Sequence, residues 1–219
     1  MTPRRIKIQI KAMGRAFYLP LLVLFLLIPL LVVYAFEINK HKAYGQEKFE
    51  FYVLMLLQTV LPFFSAYWSI LLKRVCFEQP GSEVLETMVQ PYSRKDDFFF
   101  LLFYSFLAGI LFFGLRFILD WTFIDYLRHL CIYFFVFSFQ SLLYRLSRSA
   151  MIDLLLTFLL CVVLPWESER FPLWFLYEPP KSLSIIKGYL VFFVFALVFL
   201  TLESTLPDFF KQFSIRKIN

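Results

Sequence analysis

Long uninterrupted apolar runs separated by short charged stretches set the pattern of this chain. A helical membrane span takes about 20 residues, because roughly 30 Å of hydrocarbon is crossed at about 1.5 Å per residue. The runs at 17–36, 51–72 and 98–119 meet that length; the first two carry no charge, and the third reaches Arg116 only near its end. Three further runs, at 123–144, 150–166 and 184–206, carry His129, Asp153, Lys187 and Glu203 close to their ends, where long polar side chains reach the headgroups. The pattern therefore predicts an all-α polytopic membrane protein with six transmembrane helices. The segment 150–166, with Asp153 near its start, is the shortest of the six.

Basic residues orient the spans. Arg4, Arg5, Lys7, Lys11, Arg15, Lys73, Arg74, Arg94, Lys95, Arg145, Arg148, Lys211, Arg216 and Lys217 fall on one side of a six-span arrangement. The other side holds Lys40, Lys42, Lys48, Arg170, Lys181 and Lys187, with Arg116 and Arg128 flanking the hairpin between spans three and four. The bias predicts an N-in/C-in topology. Ahead of the first span, Ile6, Ile10, Met13 and Phe17 share one helical face, and Lys7, Lys11 and Arg15 another. That is the pattern of an N-terminal interfacial amphipathic helix over 3–15. The apolar run after it is too long for the core of a cleaved leader.

Composition strengthens this picture. Of 219 residues, 60% are hydrophobic and 31 are Phe, and a soluble domain of this size has too little interior for them. The net charge of +6 resides at the ends of apolar runs, so it reads as membrane topology rather than as a nucleic-acid surface. Cys76, Cys131 and Cys161 are scattered and read as apolar fillers, not as a disulfide or metal set. The six glycines form no phosphate-binding loop, the two histidines no zinc motif, and no serine sits in a nucleophile elbow. Catalytic residues and metal ligands are accordingly expected to be none.

Polar residues inside spans mark either helix pairing or a cavity. Gln58 and Thr59 on the second span, and Ser138, Gln140 and Ser141 on the fourth, have both readings open. Asp153 reads either as a local ion-pair partner of Arg145 and Arg148 or as a carboxylate on a substrate or proton pathway. Ser105 and Gly109 form a small-xxx-small pair on the third span, and His129 reads as a hydrogen-bonded interfacial residue.

The stretch 73–97 between spans two and three is the most informative. Ser82 suits an N-cap with Glu83 in the first turn and Glu86 one turn on, while Val84, Leu85, Met88 and Val89 form an apolar strip that Pro91 ends. A short amphipathic helix of this kind suits docking into a groove on another protein. Glu78, Gly81-Ser82, Leu85 and Pro91-x-Ser93-Arg94 resemble the coupling loop of the membrane-spanning permease subunits of type-2 ABC exporters. The interval from Gly81 to Pro91 is one residue longer than the commonest form, so either Glu83 or Glu86 stands where that family has its glutamate.

The resemblance covers the whole layout, including an external aromatic stretch at 167–183 with Phe171, Trp174, Phe175 and Tyr177. It implies a transport subunit, not an enzyme, in a prokaryotic plasma membrane. ATP and Mg would be held by a separate ABC ATPase, contacted through Glu78, Gly81, Glu83, Leu85, Glu86, Met88 and Arg94. A second permease copy or paralogue would complete the pathway for an amphipathic or lipid-like substrate such as a peptide, drug or lipid. No nucleic-acid partner is implied. The alternative is a six-helix membrane protein not coupled to ATP, either a substrate-capturing importer subunit or an immunity protein against membrane-active peptides.

Overall fold

Helices dominate because the apolar runs are long and, in an apolar solvent, a helix satisfies its backbone internally. The computed structural model describes residues 3–42, 45–78, 94–163, 176, 178–180 and 182–205. Helix α1 covers Pro3–Met13 and passes through a 3-10 turn, Gly14–Tyr18, into α2, Leu19–Leu22. Gly14 has φ +60, a left-handed value that costs glycine nothing, and it lets the chain turn from α1 into the first span. A π turn, Val23–Leu27, leads into α3, Ile28–Lys42. Pro29 has no N–H for the turn before it, and the helix widens there, with the Ile28 N–H reaching back to the Val23 carbonyl.

Helix α4 spans Gln46–Phe77, α5 Arg94–Leu115, α6 Thr122–Ser147, α7 Ala150–Phe158 with a π turn Leu159–Val163, and α8 Ser184–Thr205. The direction of each helix follows from its contacts. On α4 and α6, Gln58 meets Arg128 and Lys73 meets Ser141, so these two run parallel. Phe134 with Phe193 and Phe139 with Phe199 make α8 parallel to α6. Phe17 with Trp68 and Phe36 with Phe49, Asp97 with Lys73 and Tyr104 with Leu61, and Ala150 with Glu78 and Phe158 with Phe63 show that the first span, α5 and α7 run the other way. The arrangement is up and down throughout, with α4 and α6 at its centre and α8 packed chiefly on α6.

Five helices are long and apolar enough to cross a membrane, and Ala150–Val163 is a shorter apolar helix of about 21 Å at 1.5 Å per residue. The expected third span, 98–119, ends early: the helix stops at Leu115, and residues 116–118 form turns. Outward faces are apolar, with Leu26, Leu30, Val33, Phe106, Phe113, Val194 and Phe195 all exposed. Such a belt is far larger than a soluble surface carries, while Asp125, Arg128, Gln140 and Asp153 are fully buried inside. An apolar exterior around a polar interior is what lipid solvent selects. The protein is all-helical with five to six apolar helices compatible with a membrane location.

The tight turn between α6 and α7 rests on Arg148, which caps α6 at φ 55 with its N–H donating to the Tyr144 carbonyl (2.8 Å). Helix α1 lies against the bundle with Met13 and, just beyond the helix, Phe17 buried and Ile6 and Ile10 half-buried, while Lys7, Lys11 and Arg15 are exposed; Gln9, which the apolar pattern did not include, is buried too. The Trp68 indole N–H donates to the Phe17 carbonyl (2.8 Å), and the two rings stack at 5.0 Å between centroids. This contact fixes the angle at which the chain enters the first span.

Candidate functional site: two buried polar clusters

The first cluster joins α4 and α6 well inside the bundle. Pro62 lies inside α4, and carbonyls around it accept from side chains: Leu61 from the Tyr104 hydroxyl (2.9 Å) and Pro62 from the Ser65 hydroxyl (2.6 Å). One turn earlier, Gln58 is 1% exposed and makes three hydrogen bonds. Its Nε2 donates to the Leu176 carbonyl (3.0 Å), while its Oε1 accepts from the Leu176 N–H (2.8 Å) and from Arg128 Nη1 (2.9 Å).

Arg128 completes the cluster. Its Nε donates to Asp125 Oδ1 (2.6 Å) one turn back on α6, and its guanidinium lies over the Tyr189 ring of α8 at 5.3 Å. His129 donates from Nδ1 to the Asp125 backbone carbonyl (2.9 Å), with Asp125 Oδ2 also 3.3 Å away. A buried charge is tolerable only when paired and hydrogen-bonded, and each member here is placed to meet that condition. The cluster binds α4, α6, α8 and the Leu176 backbone into one unit. Leu176 belongs to the aromatic stretch 167–183, so that stretch reaches back into the bundle at this residue.

Two sequence expectations change here. Arg128 was expected to flank a hairpin at the membrane surface; it is instead fully buried, because Asp125 and Gln58 offer it a neutralised, hydrogen-bonded site. His129 is hydrogen-bonded as expected, but in the core rather than at an interface.

The second cluster lies at the opposite end of the bundle, where α4, α6 and α8 finish and α5 and α7 begin. Lys73, 4% exposed, donates to the Ser141 hydroxyl (3.3 Å), sits 3.8 Å from Asp97 Oδ2 and lies over the Tyr144 ring at 5.3 Å. Asp96, beside it, accepts from Gln9 Nε2 (2.9 Å) and pairs with Arg5, which ties α1 to the start of α5. Gln140 Nε2 donates to Asp153 Oδ2 at 2.6 Å, and both residues are fully buried. Asp153 therefore does not form the expected ion pair with Arg145 and Arg148. It lies one turn into α7 on the inward face, whereas Arg148 caps α6 on the exposed side of the turn.

Of the residues singled out from sequence, Gln140 and Asp153 come together, Gln58 falls in the other cluster, and Thr59 is half-buried beside it. Glu78 closes α4, and its carboxylate accepts the Ala150 N–H, the first of α7. A carboxylate there complements the positive end of the helix. Arg94 opens α5. Gly81, Ser82, Glu83, Leu85, Glu86, Met88, Pro91 and Ser93 lie outside the described residues, as do 167–175. Sequence reasoning missed Lys73, Asp97, Asp125 and Arg128 as core residues; the available signal was the i, i+3 spacing of Asp125 and Arg128. Ser105 and Gly109 do mark a close approach: the Tyr126 hydroxyl donates to the Ser105 carbonyl (3.0 Å), and a Cβ on Gly109 would lie 3.0 Å from that hydroxyl oxygen.

No cluster of three or more His, Cys, Asp or Glu side chains able to hold a metal occurs among the described residues. An apolar groove of about 470 Å³ runs between α5, α6 and α8, lined by Leu102, Leu130, Phe134, Ile186, Leu190 and Phe193 among others. Fold and site together define a class: an all-helical protein with membrane-compatible helices and charged groups paired in its interior. No protein-family model, curated protein or solved structure matches the chain.

Proposed function

We propose that the chain is the membrane-spanning subunit of an ATP-driven ABC exporter whose ATPase is a separate polypeptide. In this reading six segments cross the plasma membrane of a prokaryotic cell, with both termini in the cytoplasm. The observation that carries the reading is the segment Glu78 to Arg94, with its Gly81-Ser82, Leu85 and Pro91-x-Ser93-Arg94 pattern between two long apolar helices.

The attachments of that segment support it. At its start, Glu78 holds the N-terminus of α7; just past its end, Asp96 is held by Arg5 and Gln9 of α1, and Asp97 lies beside Lys73 of α4. A push on the segment would thus reach α1, α4, α5 and α7 together. ATP and Mg bind on the partner, and a second permease copy or paralogue completes the pathway. The groove between α5, α6 and α8 suits the apolar part of an amphipathic or lipid-like substrate.

The test is co-purification of the chain with the P-loop ATPase it is paired with, measuring ATPase activity in proteoliposomes. Glu83→Lys combined with Glu86→Lys is expected to weaken ATPase binding or uncouple hydrolysis from transport. Unchanged assembly and transport would remove the assignment and leave the reading without ATP in its place.

A further inference from the structure

Asp153 and Gln140 meet through one hydrogen bond although their groups are shaped for two. Gln140 Nε2 donates to Asp153 Oδ2 at 2.6 Å, while Asp153 Oδ1 and Gln140 Oε1, both buried, have no donor. A carboxylic acid facing a primary amide closes a ring with one hydrogen bond in each direction, and a carboxylate cannot, because it has no hydrogen to give. The neighbouring groups supply no substitute. Lys73, from α4, gives its hydrogen bond to Ser141 and lies by Asp97 of α5; it acts on Asp153 only through its charge, as do Asp97 and Glu78. Tyr144 on α6 is also within electrostatic range of Asp153, and Glu203 of α8 faces Asp97. On Asp153's own helix, one turn along, the Thr157 hydroxyl is fully buried without a hydrogen-bond partner.

We propose that Asp153 and Gln140 form a proton-binding site, in which a proton on Asp153 Oδ1 is donated to Gln140 Oε1 while Gln140 Nε2 donates to Asp153 Oδ2. The bound species is a neutral acid–amide pair. Lys73 and Asp97 then remain an ion pair beside it, with one carboxylate fewer facing the ammonium. Asp153 lies one turn from the start of α7, so the proton exchanges with the solution at the end of the bundle where α1 lies. Loss of the proton would leave Gln140 Oε1 without a donor and offer Lys73 a second carboxylate, which couples protonation to the packing of α4, α6 and α7. This inference does not depend on an ATPase partner.

Infrared spectroscopy of the purified full-length protein in detergent micelles tests it, with aspartate labelled by 13C at its side-chain carboxyl. The expected result at neutral pH is a carbonyl band of a protonated carboxylic acid that moves with the label and in D2O. The band should be lost in Asp153→Asn and shifted to higher frequency in Gln140→Leu, where the acid has lost its acceptor. Absence of a label-sensitive acid band from the wild-type protein would overturn the proposal without needing any variant. So would a band that persists in Asp153→Asn, one unmoved by Gln140→Leu, or one abolished by sodium chloride at fixed pH, which would mean that a metal cation takes the place.

Discussion

Replacing Gln58 by leucine keeps the approximate volume of the side chain and removes all three of its hydrogen bonds. Two of these join neutral groups, to the N–H and carbonyl of Leu176, and each contributes about 0.6–1 kcal/mol in a membrane interior. The third comes from the Arg128 guanidinium and, being charge-assisted, is worth about 1.5–3 kcal/mol. The sum is a loss of about 3–5 kcal/mol in unfolding free energy, large against the roughly 5–15 kcal/mol that holds a typical domain together. The loss should be unevenly distributed. Leu176 keeps no other hydrogen bond to Gln58's helix, so its amide should exchange hydrogen far faster than amides in the middle of α4. Reversible unfolding in mixed micelles measures the first effect, and hydrogen exchange read by mass spectrometry the second. Thr59→Val, one residue along and only half-buried, should change stability by less than about 0.5 kcal/mol. A Gln58→Leu protein within about 1 kcal/mol of wild type, with unchanged exchange at Leu176, would refute the reasoning.

The Asp125–Arg128 pair should be strongly non-additive. Arg128→Met alone leaves a buried carboxylate uncompensated and should cost about 3–5 kcal/mol, whereas Asp125→Asn with Arg128→Met should recover much of it; a double-mutant cycle in the same unfolding assay decides. Gly109→Leu should destabilise by about 1–3 kcal/mol, because its Cβ would already press on the Tyr126 hydroxyl, and combining it with Tyr126→Phe should return part of the loss. An unrescued double variant would place the strain elsewhere.

The five to six apolar helices were legible because hydrocarbon thickness sets a length that a window along the chain detects. Helix α1 was equally legible, since Lys7, Lys11 and Arg15 repeat at helical spacing. The early end of α5 at Leu115 was not, because Phe117, Ile118 and Leu119 are as apolar as the helix before them. Nor was the short α7 separable from a full span by composition alone. At the polar sites, Gln140 and Asp153 were recognisable as polar groups within apolar runs, but their partnership needs α6 and α7 folded back on each other through the Arg148 turn. Arg128 was misplaced for a similar reason. An arginine near a span end belongs at the headgroups unless it is paired; Asp125 supplies the charge three residues back, and Gln58, seventy residues away, the further hydrogen bond that only packing reveals.

The sequence by itself determined the all-helical class of this protein and the spacing of its membrane-compatible apolar segments, since these depend on local length and hydropathy. It also supplied the Glu78 to Arg94 pattern on which the exporter reading rests. Only the tertiary structure decided which charges neutralise one another, Asp125 with Arg128, Lys73 with Asp97 and Arg5 with Asp96, and that Asp153 meets the Gln140 amide rather than Arg145 or Arg148. The reason is that burying a charge is costly unless a partner stands within a few ångströms. Distances of that kind between residues far apart in the chain exist only once the helices have packed.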